Sequence, residues 1–261
     1  MKYDIHPFDP STMSADATVL MIGKRGTGKS TLLADIMYHN KDKFSVGVGM
    51  SATDESSGDL AKIIPKACIY DKFSEGVIQR ILTLQKQCGK KDRLKNMFIV
   101  MDDCAYDSKT LRNNSMREVF MNGRHRKLFI INAVQYMMDI PSYLRGQIDY
   151  VFATRDNIIS QREKLYKFFF GMFKDYNTFA EVMDTCTTGF DCIVINNTVR
   201  SNNVSDCVFW YSANPDLPKF RLCEDVYWRM DARYYQDPDN VEEEDREQRN
   251  DKELYIKKIK R

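Results

Sequence analysis

Four apolar runs punctuate the chain. They are Val19–Ile22, Met97–Met101, Leu128–Ile131 and Tyr150–Ala153, each free of charge. Short runs of this kind, bounded by polar residues, read as strands buried on both faces, as in a parallel sheet. Phe44–Met50 alternates large and small residues and reads as a further strand, and Ala67–Tyr70 as a weaker one. Helical periods fall between them. Leu32, Leu33, Ile36 and Met37 share one helical face, and Val77–Gln85 predicts a helix that stops at Cys88-Gly89, with the glycine in the left-handed cap conformation. Ser51–Gly58 is expected to be a polar loop, and residues 1–18, polar with two prolines, an irregular arm entering the core.

The pattern changes after Arg155. Ile158–Phe173 is helical and aromatic-rich, which suits core or a subunit interface better than base stacking. Phe179–Asp184 continues in a second helix, with Gly189 after its end. Cys192–Asn196 and Cys207–Tyr211 read as two strands, joined as a hairpin by an Asn- and Ser-rich stretch, and should extend the sheet antiparallel at one edge. The prediction is a three-layer α/β fold with a mostly parallel sheet and an antiparallel edge hairpin. One domain would cover residues 19–235, behind an arm over 1–18. Residues 236–261 form a charged tail, from acidic Glu242–Asp245 to basic Lys257–Arg261, that reads as disordered or a solvated helix. The terminal basic run leaves a DNA or localisation role open.

Composition narrows the partners. The 261 residues are 43% hydrophobic, enough for a sizeable core, and the net charge of +2 announces no global field for nucleic acid. Any DNA contact must come from local patches. Seven cysteines without a C-x-x-C pair, and only three histidines, argue against a zinc framework and fit a reducing compartment. The first residues lack the apolar segment of a signal peptide, and Phe168–Phe173 is too short to span a bilayer. A soluble cytosolic or nuclear protein is expected.

The chemistry concentrates after the first strand. Gly23-Lys24-Arg25-Gly26-Thr27-Gly28-Lys29-Ser30 fits G-x-x-x-x-G-K-[ST], set between strand and helix. In such a P-loop, backbone N–H groups close round phosphates and the helix N-terminus adds positive potential. Gly23 to Thr31 would hold the nucleotide, with Lys29 on the β- and γ-phosphates and the Ser30 hydroxyl on Mg²⁺. Asp102 and Asp103 end the Met97 strand where ligands bind in open α/β sheets. Asp102 would hold Mg²⁺ through its water shell, and Asp103 would orient or deprotonate the attacking water. Gln135, ending the Leu128 strand, reads as a γ-phosphate or water sensor, or as an amide bonding a neighbouring loop. The long separation of Asp102 from the P-loop leaves room for a strand between theirs in the sheet, as in ATPases of the RecA/ASCE-like type. Arg25 could reach a phosphate in cis, whereas Arg124 or Arg145 could project into a neighbouring subunit's site, against the general alternative of surface ion pairs. Gly89–Lys95 is a basic connector, read as a solvated loop or a DNA-backbone contact.

These pieces resemble the poxvirus-type DNA-packaging ATPases of nucleocytoplasmic large DNA viruses, in the FtsK–HerA group. The resemblance rests on Ile22–Ser30, Met101-Asp102-Asp103-Cys104, Phe120-Met121-Asn122-Gly123-Arg124-His125, Gln135-Tyr136 and Ile140–Phe152, in family order over roughly residues 15–155. It implies a homo-oligomeric ring that hydrolyses ATP with Mg²⁺ and drives double-stranded viral DNA into a preformed capsid, at the assembly site in the host cytoplasm and in the virion. A portal or membrane component of the virion would be a partner, and no small-molecule acceptor is expected. By resemblance Lys29, Ser30, Asp102 and Asp103 match the core positions and Gln135 the sensor. Arg124 is favoured as the trans-acting finger, with Arg145 close behind and Arg25 matching an arginine inside some viral P-loops. Many relatives have Asp-Glu where this chain has Asp102-Asp103, and the segment Cys104–Lys109 is short. No large nuclease domain is expected after the ATPase core, so DNA cutting is not predicted. DNA-contacting residues are open, with Lys90, Lys91, Arg93, Lys109 and Arg112 as candidates.

Three other classes share parts of this pattern. A GTPase would need an Asn/Thr-Lys-x-Asp element, for which Ala153–Asn157 is a poor substitute. A nucleoside or nucleotide kinase would transfer phosphate to a small acceptor without DNA stimulation. A nucleotide-gated scaffold fits badly with Lys29, Asp102 and Asp103 all present. A repair or segregation ATPase of the same superfamily is the nearest alternative.

Overall fold

The computed structural model describes residues 3–104, 111–136 and 140–236. Its strands are β1 (His6–Pro7), β2 (Thr18–Ile22), β3 (Val46–Ser51), β4 (Ile69–Tyr70), β5 (Met97–Asp102), β6 (Leu128–Val134), β7 (Tyr150–Thr154), β8 (Asp191–Asn196) and β9 (Val208–Ser212). Its α-helices are α1 (Lys29–His39), α2 (Asp54–Ala61), α3 (Glu75–Lys90), α4 (Asn114–Asn122), α5 (Ser142–Arg145), α6 (Ile159–Phe169), α7 (Tyr176–Cys186), α8 (Val204–Cys207) and α9 (Asp225–Tyr234). The strands form one sheet in the order β1-β9-β8-β7-β2-β6-β5-β3-β4. Pairing is parallel except for β7–β8 and β8–β9, so the late strand pair is antiparallel as expected. Beyond it, the two residues of β1 pair with β9. β6 lies between β2 and β5, and so separates the P-loop strand from the Asp102 strand.

The period of two in each strand sorts the core onto two faces. Val19, Met21, Phe98, Val100, Phe129 and Ile131 pack with Leu32, Leu33, Ile36 and Met37 of α1. Their alternates Leu20, Ile22, Ile99, Met101 and Ile130 pack with Val77, Ile78, Ile81 and Leu82 of α3 and with Leu165, Phe179 and Met183 of α6 and α7. Helix, sheet and helix make three layers. The expected arm joins the first face. Phe8 sits among the rings of Tyr150, Phe152, Phe209 and Tyr211, at centroid distances of 5.5–6.5 Å.

Local departures have local causes. The expected loop over Ser51–Gly58 contains most of α2, whose N-cap Thr53 accepts from Ser56 N at 3.4 Å, with Asp54 and Glu55 in the first turn. Only Leu60 of this helix is buried, so it has no apolar stripe to read. Helix α3 does not stop at Gly89. It runs to Lys90, and the left-handed residue is Asp92, with Arg93 N donating back to Cys88 O at 2.9 Å. The Ile158–Phe173 helix ends at Phe169, and the following turns drive Phe170 and Phe173 into the core. The link between β8 and β9 carries the single turn α8. No helix of the described residues is long and apolar enough to cross a membrane.

Candidate nucleotide-binding site

The C-terminal ends of β2, β6 and β5 lie side by side, and the site is built on them. Gly23 N donates to Val134 O at 3.0 Å, which ties the start of the P-loop to the end of β6. Thr154 at the end of β7 donates to Thr27 Oγ1 at 2.9 Å, and Thr27 Oγ1 donates to Lys24 O at 2.7 Å. Gly26 and Gly28 hold φ of 79° and 84°, a region that favours glycine, and Gly28 caps α1. The loop therefore presents successive N–H groups and a helix N-terminus to one cavity of about 370 Å³. Lys24 is pinned from outside, 2.7 Å from Asp156 Oδ1 and 2.9 Å from Asn157 Oδ1.

Lys29 is buried between the two carboxylates. Its Nζ is hydrogen-bonded to Asp103 Oδ1 and lies 3.5 Å from Asp102 Oδ1. The other oxygen of Asp103 accepts from Gln135 Nε2 at 2.6 Å. Asp103 N donates to Ala133 O at 3.0 Å, and its φ of 51° turns the residue out of the strand. Lys29, Asp103 and Gln135 are thus one chain of charge-assisted hydrogen bonds from the start of α1 to the ends of β5 and β6. Asp102 differs from Asp103. Its Oδ1 is buried without a hydrogen-bond donor, and burial pushes its carboxyl above the ordinary value, against the opposing pull of Lys29 and the Ser56 hydroxyl. A buried carboxylate oxygen lacking a donor, in a cavity also lined by the exposed Ser30, fits a hard cation that keeps several of its waters. No group of three His, Cys, Asp or Glu that could hold a metal by itself occurs among the described residues.

The structure brings Lys24, Arg25, Gly26, Gly28, Lys29, Ser30, Thr31, Asp102, Asp103 and Gln135 together round the cavity. Arg25 is 87% exposed at the mouth, 3.5 Å from Glu55 Oε2. Arg124 and Arg145 are not there. Arg124 precedes β6, at the opposite end of that strand, and its Nη2 lies 2.5 Å from Asp149 Oδ1. The other oxygen of Asp149 accepts from Thr18 N at 2.8 Å, at the start of β2. Arg145 donates to Ile140 O at 2.7 Å, with its guanidinium 4.1 Å from the Phe168 ring centroid. Thr53, Glu55 and Ser56 also line the cavity, from the start of α2. Sequence reasoning missed them, although Thr53-Asp54-Glu55 is a recognisable helix start. Lys90, Lys91, Arg93 and Arg112 are exposed; Lys109, the segment 105–109 and tail residues 237–261 lie outside the described residues.

No family model matches the chain. It is 30% identical over 244 residues to Uncharacterized protein L437 of Acanthamoeba polyphaga mimivirus, covering 90% of this chain and 85% of that one. It is 30% identical over 211 residues to Uncharacterized protein 088R of Invertebrate iridescent virus 3, covering 79% and 81%. Among solved structures, the genome packaging NTPase B204 from Sulfolobus turreted icosahedral virus 2, in complex with AMPPCP, matches with a TM-score of 0.55 at 16% identity. That match covers 77% of this chain and 100% of the B204 chain. The pCW3 conjugation coupling protein TcpA, in monomer form with ATPγS, matches with a TM-score of 0.53 at 11% identity over 78% of this chain and 62% of its own. The chain has the fold that these P-loop NTPases share.

Proposed function

The chain belongs to the family of large-DNA-virus proteins that includes 088R and L437, and on that footing we propose that it is an ATP-driven translocase packaging double-stranded viral DNA into the capsid. The carrying observation is the convergence of Lys29, Asp102, Asp103 and Gln135 on one cavity at the mouth of a P-loop. The likeness to a viral genome packaging NTPase supports the direction of the reading.

Each residue then has one task. P-loop N–H groups from Gly26 to Lys29 enclose the phosphates, and Lys29 shifts from Asp103 toward the β- and γ-oxygens as they arrive. Ser30 and Asp102 are the residues that would hold Mg²⁺, which when bound neutralises charge on those oxygens. Asp103, released from Lys29, takes the proton of the attacking water, and Gln135 holds that carboxylate and the water in line. Arg124 serves the site of a neighbouring subunit in a homo-oligomeric ring, with Arg145 second in line and Arg25 reaching the phosphates in cis. Exposed Lys90, Lys91, Arg93 and Arg112 contact the DNA backbone without reading sequence. The ring works at the assembly site in the host cytoplasm, docked on a capsid, portal or membrane component.

The test is ATP turnover against protein concentration, with and without double-stranded DNA, beside Lys29→Ala. Turnover that rises more steeply than concentration and responds to DNA supports shared sites on a ring. Turnover strictly proportional to protein, indifferent to DNA and stimulated by a nucleoside or nucleotide, replaces the translocase with a kinase.

A further inference from the structure

The described P-loop has an aromatic neighbour that none of the roles above uses. Phe190 lies between α7 and β8 and is 70% exposed, the most exposed of the large hydrophobic side chains described. Its Cδ1 lies 3.2 Å, and its Cβ 3.7 Å, from the point where a β-carbon on Gly28 would sit. Gly189, with a φ of 64°, makes the turn that projects it, and Asp191 N closes that turn on Thr188 O at 3.1 Å. A ring held against the P-loop yet open to solvent is not packed for stability. At 70% exposure the ring gains little from burial.

Direction decides what Phe190 faces. The γ-phosphate end of a bound triphosphate is set by Asp103 and Gln135, at the ends of β5 and β6 on one flank of β2. The chain of phosphates must then leave the loop toward the other flank, where β7 and β8 stand. Phe190 immediately precedes β8 on that flank, because antiparallel pairing sets Cys192 opposite Thr154 at the P-loop end. We propose that Phe190 is the platform on which the nucleobase of the bound triphosphate stacks; this rests on reading the P-loop as a nucleotide site. Stacking uses the π-face and not the hydrogen-bonding edge, so Phe190 adds affinity for ATP and GTP alike. The gain over a bare triphosphate comes from this ring.

The experiment compares dissociation constants of ATP and inorganic tripolyphosphate, both with Mg²⁺, for the wild type, Phe190→Ala, Phe190→Trp and Lys29→Ala. Phe190→Ala should weaken ATP about thirtyfold, the middle of the range for one base–aromatic stack, and leave tripolyphosphate unchanged. Phe190→Trp should restore ATP affinity and report ATP, but not tripolyphosphate, by a change in indole fluorescence. The inference is overturned if Phe190→Ala leaves ATP affinity intact, or weakens both ligands in parallel, as a purely structural prop for Gly28 would. A wild type that binds neither ligand, or a Lys29→Ala chain that binds both normally, overturns the P-loop reading itself and the inference with it.

Discussion

Asp103 is the residue on which the site turns. It bonds Lys29 with one oxygen and Gln135 with the other, and it does so from a left-handed backbone position. Asp and Asn tolerate that region better than larger residues. Asp103→Asn therefore keeps the backbone and removes only the charge and, on the proposed mechanism, the base. Turnover should fall about 10²–10⁴-fold while ATP affinity is retained, read by single-turnover hydrolysis beside equilibrium binding. Asp103→Leu is expected to lose stability as well, because a bulky side chain is strained at this φ. Lys29, Asp102 and Asp103 were legible because each motif is local in the chain and bound to a strand end. The hydrogen-bond chain through Gln135 was only half legible. Nothing local in sequence says that its amide reaches Asp103, 32 residues away. Phe190 was not legible at all, since its meaning lies in a contact with Gly28.

Strands and helices differ in how much of themselves they show. β2, β5, β6 and β7 are buried throughout, so their apolar runs were unmistakable. α2 buries one residue, and a helix without an apolar stripe leaves no period to find. The sheet is tightest where β3 meets β5. A β-carbon on Gly47 would fall 2.3 Å from the Phe98 ring, so Gly47→Ala and Phe98→Ala should each destabilise, the latter by about 3–5 kcal/mol. Because they compete for one space, the double variant should be more stable than the sum of the singles predicts, in a denaturant-unfolding cycle. α9 is held by charge at its start. Glu224 Oε1 lies 2.7 Å from Lys95 Nζ, and hydrogen bonds from Lys95 and then Ser45 hold the Glu224 carboxyl below its ordinary value. A depressed carboxyl contributes stability above its unfolded value and loses it as pH falls through the folded one. A carbon-detected NMR titration should place the Glu224 midpoint below that of an exposed Glu, and Lys95→Ala should move it back up.

At the scale of the molecule, the proposed ring requires an arginine that reaches a neighbour's site. Arg124 is separated from the P-loop end by the length of β6, and seven residues of strand span roughly 23 Å, so it cannot serve its own cavity. Its partner in the isolated chain is Asp149, in an ion pair whose arginine is 63% exposed. Asp149 itself is buried, with a side chain only 11% exposed, so moving Arg124 to a neighbour's phosphate costs more than breaking a fully exposed pair and leaves that carboxylate with the Thr18 N–H. Arg145 is held more firmly, by the Ile140 carbonyl and the Phe168 ring. Within the proposed ring, the greater exposure of Arg124 makes it the candidate to move between partners. Arg124→Ala should bind ATP like the wild type and lose DNA-stimulated turnover, while Arg145→Ala should lower the unfolding midpoint as well. Mixing Arg124→Ala with Asp103→Ala subunits restores one intact interface wherever an intact Arg124 faces an intact Asp103, so part of the activity should return. If that mixture stays inactive while Arg145→Ala with Asp103→Ala recovers, the finger is Arg145. If neither recovers, the site is complete within one chain, and Arg25 at the cavity mouth becomes the arginine that touches phosphate.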